Sequence, residues 1–167
     1  MKKGLGPIVD SFSRVLILGS FPGPIALKKK EYYAHPQNRF WSTMATITGQ
    51  DSVPKDYKKK KILLANAGIG LWDVVASCER RGAGDANIKK EELNNITGLL
   101  CKYPDIKAVF FNGKKAESLF KKHLKVSIMT ECLPSTSPAN ASIPETEKLN
   151  TWKDKLGKAL NKKQGVL

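Results

Sequence analysis

Short apolar segments alternate with segments of helical periodicity along most of the chain, and this order constrains the fold more than any other feature. The predicted strands are Val15–Leu18, Gly70–Val75, Lys107–Phe111 and Val126–Leu133. The predicted helices are Arg39–Thr48, Pro54–Ala65, Ile88–Lys102, Gly113–His123 and Glu145–Lys162. Because helical crossovers connect parallel strands, the sequence predicts a three-layer α/β/α fold around a central, mostly parallel four-stranded sheet.

Length and composition predict one globular domain over residues 1–167. Apolar residues make up 41% and charged residues 26% of the chain, which excludes disordered and fibrous classes. No apolar run approaches the roughly 20 residues of a membrane span, and the N-terminal segment lacks the apolar core of a signal peptide. We therefore expect no membrane partner and a cytoplasmic location, close to the nucleoid if the organism is prokaryotic.

The cysteines argue against disulfide-rich and metal-binding classes of protein, and the net charge indicates the kind of partner. Cys78, Cys101 and Cys132 are scattered, so we expect buried thiols rather than a disulfide framework, a metal site or an iron–sulfur cluster. Lysine and arginine number 29 against 15 acidic residues, a net charge of +14, which favours a polyanion such as DNA as partner. The alternative is a solvated, lysine-rich surface, since many lysines stand in the runs Lys28–Lys30, Lys58–Lys61, Lys89–Lys90 and Lys162–Lys163.

Two long loops are candidates for a binding site, one rich in Gly, Pro and Lys and the other in Ser, Thr, Pro and Asn. Gly19–Gln37 follows the first predicted strand, and Pro134–Pro144 follows the last. Ligands of open α/β sheets bind where loops leave the carboxyl ends of strands, so both loops are candidates for one site. Ser77–Asn87 is predicted to be a polar connector.

These loops carry three motifs: Gly19-Ser20-Phe21-Pro22-Gly23, Tyr32-Tyr33-Ala34-His35-Pro36-Gln37-Asn38-Arg39-Phe40-Trp41 and Leu133-Pro134-Ser135-Thr136-Ser137-Pro138-Ala139-Asn140. Together they resemble the uracil-DNA glycosylase superfamily, and within it the hypoxanthine-DNA (deoxyinosine) glycosylase branch, which is related to mismatch-specific uracil/thymine glycosylases. The resemblance implies a uracil-DNA glycosylase-like fold and a monofunctional DNA glycosylase of base excision repair. Such an enzyme flips a deaminated base, here hypoxanthine, out of double-stranded DNA and hydrolyses its N-glycosidic bond, with no metal or nucleotide cofactor. We expect a monomer.

One position departs from the mismatch-specific enzymes. There the third residue of the first motif is an asparagine that positions the attacking water, whereas this chain has Phe21, which cannot hold a water. In the hypoxanthine branch the resemblance assigns that task to Asn38. An amide suffices because cleavage passes through an oxocarbenium-like sugar, which needs an oriented water more than a strong base. The alternative role for Asn38 is to cap the helix that follows it.

The remaining base-pocket residues implied by the resemblance are Gly19, Ser20, Phe21, Pro22, Tyr33 and His35. Tyr33 matches the aromatic position on which the extruded base stacks, with core packing as the alternative. His35 either donates to the base or a phosphate, or braces its own loop. Phe40 and Trp41 are expected to be core residues.

The third motif matches the loop that presses on the minor groove and fills the gap left by the flipped nucleotide. Its predicted DNA-binding residues are Ser135, Thr136, Ser137, Pro138, Ala139 and Asn140, and the alternative is an ordinary polar turn. Asp73 follows Trp72 at the end of a strand, where a carboxylate could serve as a base, but we expect a capping or ion-pair role for it. Arg80 and Arg81 either bind phosphate or lie in a solvated loop.

Two alternative functions remain open. One is a G/U mismatch-specific uracil-DNA glycosylase. The other is a DNA-binding protein that has kept the fold and lost catalysis, which the phenylalanine in the first motif favours.

Overall fold

A four-stranded parallel sheet with helices against both faces forms the centre of the computed structural model, which describes residues 1–161. In chain order the elements are β1 (Lys2–Lys3), β2 (Val15–Gly19), α1 (Pro24–Lys29), α2 (Phe40–Ile47), α3 (Tyr57–Ala67), β3 (Ile69–Asp73), β4 (Val75–Glu79), a 3₁₀ turn (Asp85–Asn87), β5 (Lys89–Leu93), α4 (Ile96–Lys102), β6 (Ala108–Asn112), α5 (Lys114–His123), β7 (Met129–Leu133) and α6 (Glu145–Asn161). The sheet order is β3-β2-β6-β7, with every neighbouring pair parallel. The predicted α/β class and central sheet are confirmed.

The side chains of β2 show why the sheet is covered on both faces. Val15 and Ile17 point into one apolar core, which they share with α2, α3 and α6. Leu16 and Leu18 point into the other core, shared with α4 and α5. All four side chains are almost fully buried, because successive residues of a strand alternate between two faces that are both packed.

A second sheet was not predicted. Its three short strands are antiparallel, in the order β1-β4-β5. The predicted helix Ile88–Lys102 is therefore wrong in its first half, where Lys89–Leu93 pairs with β4, and right only for Ile96–Lys102. Pairing with β4 outweighs the helical propensity of the Lys-Lys-Glu-Glu run, and the Asn95 side chain begins a separate helix by accepting from Gly98 N at 2.9 Å.

Other boundaries also differ from the predictions. The predicted strand Gly70–Val75 spans two strands that break at Val74, and the connector Ser77–Asn87 begins inside β4. The first loop contains the short helix α1, and α3 begins at Tyr57 instead of Pro54 because the Asp56 side chain caps it. The expectation of buried cysteine thiols is confirmed for Cys78, which is buried, but it is wrong for Cys101, which is exposed; Cys132 is half-buried.

Two predictions on the C-terminus involve residues that the structure does not describe. Lys162, the predicted end of the last helix, and the pair Lys162–Lys163 lie outside the described residues. None of the helices within the described range is both long enough and apolar enough to cross a bilayer.

Candidate active site

One cavity of about 760 Å³ opens where the parallel strands end, and every predicted site residue lines it. The cavity walls include the residues at the ends of three strands, Gly19, Asp73 and Asn112. The predicted base-pocket and catalytic residues that line it are Gly19, Ser20, Phe21, Pro22, Tyr33, His35 and Asn38, and the predicted DNA-binding residues are Ser135, Thr136, Ser137, Pro138, Ala139 and Asn140. The structure thus brings together two loops that are about one hundred residues apart in sequence.

The first motif has little free space around its backbone. A Cβ atom on Gly19 would collide with the Asp73 carboxyl group and lie 2.9 Å from the Tyr33 hydroxyl, so the position requires glycine. Phe21 is 6% exposed, and its ring packs under the Arg80 guanidinium at 5.1 Å. A second neighbour supports the loop from the side, since Ser20 Oγ donates to Asp85 Oδ1 at 2.8 Å.

Arg80 holds the motif in place. Its guanidinium is buried and donates to the Pro22 carbonyl oxygen at 2.6 Å. Both sequence alternatives for this residue, a phosphate ligand and a solvated loop side chain, are wrong because the side chain is packed into the protein; Arg81 is exposed.

Asn38 is half-buried and lines the cavity. Its Oδ1 atom accepts a hydrogen bond from Phe40 N at 3.0 Å, and its backbone N–H donates to the His35 carbonyl oxygen at 2.9 Å. Helix α2 begins at Phe40, so Arg39 occupies the N-cap position, one residue later than predicted, while the Asn38 side chain satisfies the first free N–H of the helix. This bond orients the amide, and the second lone pair of Oδ1 can still accept from a water.

Tyr33 contributes an aromatic wall. Its ring stacks on Phe40 with centroids 4.1 Å apart, and it lines the cavity. The backbone of Tyr33 has φ of 53°, a left-handed conformation that costs an aromatic residue on the order of 1–3 kcal/mol. Burial, followed by Asp73, which is ionised at the alkaline pH where a tyrosine titrates, raises the pKa of the Tyr33 hydroxyl well above its ordinary value, so this hydroxyl is neutral.

The neighbours of Tyr33 are mainly structural. Phe40 and Trp41 are buried, as predicted, and Trp41 Nε1 donates to the Tyr32 carbonyl oxygen at 2.8 Å. His35 is exposed at the rim of the cavity, and its Nδ1 atom accepts from Gln37 N at 3.1 Å, so the imidazole braces its own loop. His123 ends α5 and is exposed.

The loop Ser135–Asn140, hereafter the second motif loop, is anchored to the sheet and to the first motif region. Asn112 holds Thr136 with two hydrogen bonds of 2.9 Å, one donated to Thr136 Oγ1 and one accepted from Thr136 N. Arg39 N donates to the Thr136 carbonyl oxygen at 3.1 Å and so joins the two loops directly. The buried Thr136 therefore fixes the loop, while Pro138 and Ala139 stay exposed at its tip.

Helix α6 supports the same loop from behind. Trp152 Nε1 donates to the Pro134 carbonyl oxygen at 2.7 Å. The buried Lys148 ammonium donates to the Asn140 carbonyl oxygen and pairs with Glu145 at 3.4 Å. These two anchors were not predicted, because Trp152 reads from the sequence as a core residue and Lys148 as one of many surface lysines.

Asp73 is the main residue that sequence reasoning placed wrongly. Its side chain is 3% exposed, forms no ion pair within residues 1–161, and has an Oδ2 atom without a hydrogen-bond partner there. The expected capping or ion-pair role is therefore wrong. Burial, with a smaller contribution from the Asp85 charge, raises the pKa of Asp73 to about 8, while Arg80 acts in the opposite direction. At neutral pH the Asp73 side chain is therefore a carboxylic acid, whereas the exposed Asp85 in the same cavity wall contributes a carboxylate charge.

Comparison with known proteins agrees with this geometry. A sequence model of the Uracil DNA glycosylase superfamily matches residues 7–161. The chain belongs to this superfamily. Its membership confirms the resemblance seen in the motifs and the prediction of a DNA glycosylase, a hydrolase of N-glycosyl bonds that acts on DNA.

The names of individual relatives are more specific than the name of the superfamily. A protein of Methanosarcina barkeri (strain Fusaro / DSM 804) named Hypoxanthine DNA glycosylase is 38% identical over 139 residues, which cover 83% of this chain and 88% of that protein. A protein of the same name from Methanosarcina acetivorans is 35% identical over 140 residues, covering 84% and 89%. The solution NMR structure of a Methanosarcina acetivorans protein, provisionally described as a uracil DNA glycosylase, superimposes on this protein with a TM-score of 0.80 at 32% sequence identity. The superposition covers 95% of the chain described here and 98% of the Methanosarcina acetivorans chain.

Proposed function

We propose that this glycosylase excises hypoxanthine from double-stranded DNA, with Asn38 orienting the attacking water. The observation that carries the proposal is the position of the Asn38 amide, whose oxygen is held by Phe40 N in the wall of the cavity. The two relatives named Hypoxanthine DNA glycosylase, at 38% and 35% identity, support the choice of base. The cavity volume of about 760 Å³ lies within the range of roughly 300–1,000 Å³ typical of small-molecule sites.

The chemistry needs a water near C1′ and a site that accepts the departing base. The buried Phe21 offers no polar atom at the motif position where mismatch-specific enzymes hold the water. The Asn38 carbonyl can accept a hydrogen bond from a water and orient its lone pair toward the anomeric carbon. A neutral amide suits this reaction because positive charge develops on the sugar and a strong base is not needed.

The rest of the cavity fits a flipped nucleotide. Phe40 stacks on the Tyr33 ring, which also lines the cavity, and stacking of a base against this ring would offset part of the cost of flipping. The second motif loop presents the exposed Pro138 and Ala139 at the rim, where small side chains allow close approach to the DNA backbone. The net charge of +14 favours the duplex as partner without reading its sequence.

The test is a set of duplexes that each carry one hypoxanthine, uracil or xanthine, incubated with the protein and then cleaved at abasic sites. We expect strand cleavage at hypoxanthine, and a loss of at least 100-fold in the single-turnover rate for Asn38→Ala. Asn150→Ala, at an exposed position of α6 outside the cavity, is the matched control and should retain full activity.

The alternatives give different results in the same assay. Cleavage confined to G/U duplexes would identify a mismatch-specific uracil enzyme, and absence of cleavage with retained DNA binding would identify a non-catalytic binder. Full activity of Asn38→Ala would show that another group holds the water. We also expect a monomer, which light scattering of the free protein at micromolar concentration checks.

A further inference from the structure

Asp73 occupies a place in the active-site cavity that the water-positioning step does not use. It is the last residue of β3, is paired in register with Gly19 of the first motif, and lines the same cavity as Asn38 and Tyr33. The residue is 3% exposed, and its Oδ2 atom is buried without a hydrogen-bond partner among residues 1–161. An unpaired carboxylate is costly in such surroundings, so the group keeps its proton.

The charged groups around Asp73 support the neutral form. Burial is the largest cause that raises its pKa, to about 8, and the carboxylate of Asp85 on the neighbouring 3₁₀ turn adds to it. The Arg80 guanidinium opposes this effect, but it forms no ion pair with Asp73 and donates instead to the Pro22 carbonyl oxygen. Tyr32 and Tyr33, which also face Asp73, are neutral because burial raises the pKa of both hydroxyls well above the ordinary value.

We propose that Asp73 is the general acid of this enzyme, which protonates N7 of the purine as it leaves. This inference rests on the proposed removal of hypoxanthine. The C1′–N9 bond breaks and its electron pair moves into the purine ring. N7 takes the proton from the Asp73 carboxyl group, so hypoxanthine departs as a neutral base. The water that adds to C1′ releases one proton to solvent, and the Asp73 carboxylate later takes one proton back.

A purine gains more from such an acid than a pyrimidine does. Hypoxanthine has a basic ring nitrogen, N7, away from the sugar, whereas uracil leaves through N1 and has no equivalent basic nitrogen. A positioned general acid typically contributes about 10²–10⁴-fold to a rate. Carboxylic acids that stay protonated at neutral pH in apolar sites serve other enzymes as proton or hydrogen-bond donors. Asn38 and Asp73 then act on the two partners of the breaking bond, the sugar and the base.

The first experiment measures single-turnover cleavage of a hypoxanthine duplex between pH 5.5 and 9.5. For the wild-type protein we expect a constant rate up to about pH 8 and a tenfold loss per pH unit above it, since the acid loses its proton there. Asp73→Asn should lower the plateau by about 10²–10⁴-fold and remove the alkaline decline. Asp105→Asn, at an exposed carboxylate outside the cavity, should follow the wild-type curve.

Two further measurements keep the test decisive if Asp73→Asn fails to fold. Asp85→Asn removes the second cause of the raised pKa, so its alkaline decline should begin at a lower pH than in the wild type. A duplex that contains 7-deaza-2′-deoxyinosine lacks N7, and we expect the wild-type protein to bind it but not to cleave it.

The outcomes separate this inference from the proposed function. Absence of cleavage at hypoxanthine by the wild-type protein would refute the proposed function itself. Cleavage without an alkaline decline, with an unchanged rate for a folded Asp73→Asn, or with 7-deazahypoxanthine released within tenfold of the hypoxanthine rate, would leave the proposed function standing and overturn the role of Asp73.

Discussion

Replacing Asp73 by Asn should change how the stability of the protein depends on pH, independently of any substrate. The pKa of Asp73 is about 8 in the folded protein, against an ordinary value of 3.8. Between these two values the folded state holds a proton that the unfolded state has released. The free energy of unfolding is therefore highest at low pH, falls as pH rises from about 4, and stops falling once pH has risen through about 8. Asparagine has nearly the same shape and no such proton.

The expected size follows from the pKa difference. Each pH unit within the interval lowers the free energy of unfolding by about 1.4 kcal/mol, so the protein above pH 8 is less stable than at low pH by about 6 kcal/mol on account of Asp73. A domain of ordinary stability, about 5–15 kcal/mol, should register this strongly. Between pH 5 and pH 7 the wild-type protein should lose about 3 kcal/mol of unfolding free energy relative to Asp73→Asn.

Urea unfolding at pH 5, 6, 7 and 8 measures this difference, with Asp105→Asn as the exposed-carboxylate control. The free energies of wild type and Asp73→Asn should diverge as pH rises, whereas those of wild type and Asp105→Asn should stay within about 0.5 kcal/mol. Parallel curves for wild type and Asp73→Asn would show that Asp73 is already ionised in the folded protein, and the reasoning from its burial would be refuted.

Three further outcomes test the site. Gly19→Ala should lower both glycosylase activity and stability, the latter by about 1–3 kcal/mol, because the added Cβ collides with the Asp73 carboxyl group; unchanged urea midpoint and activity would contradict this contact. Asn112→Ala removes both hydrogen bonds to Thr136 and should weaken binding to a hypoxanthine duplex while faster hydrogen exchange appears in the second motif loop; unchanged exchange there would show that other contacts fix the loop. The affinity for undamaged duplex should fall with salt, about fortyfold between 50 and 200 mM if about three phosphates are contacted, and an affinity independent of salt would argue against phosphate contacts.

The sequence predicts the central sheet well because its strands are buried on both faces. Val15–Leu18 is apolar at every position, which is typical of a parallel strand covered by helices on both sides. The same rule fails for Lys89–Leu93, whose side chains are mostly exposed and whose strand pairing depends on the distant partner β4. Local propensity favours a helix there, and only tertiary contact explains the strand.

In the active site, too, residues in local motifs were predicted and a residue that depends on strand pairing was not. Asn38 and the second motif loop were predicted because their residue types stand next to each other in recognisable motifs. The sequence places Asp73 at a strand end, where a carboxylate could serve as a base, but nothing in its neighbours Trp72 and Val74 indicates that its side chain is buried without a partner, so a capping or ion-pair role was expected. It lies there because β3 pairs with β2 in a register that brings Asp73 beside Gly19, and that register is a property of the folded sheet.

The charged surface of the protein suits DNA binding, and the mostly neutral groups of the cavity wall suit cleavage. The outside carries the net charge of +14, which attracts the phosphates of DNA over a long range. The cavity wall, by contrast, presents an amide at Asn38, a neutral phenol at Tyr33 and a protonated carboxyl group at Asp73. A carboxylate at Asp73 would add a second negative charge beside the exposed Asp85, which lines the same cavity, and would have no proton to give to the departing base. Keeping Asp73 neutral therefore favours departure of the base, which is why we expect Asp85→Asn, by lowering the pKa of Asp73, to slow cleavage first at the alkaline end of the pH range.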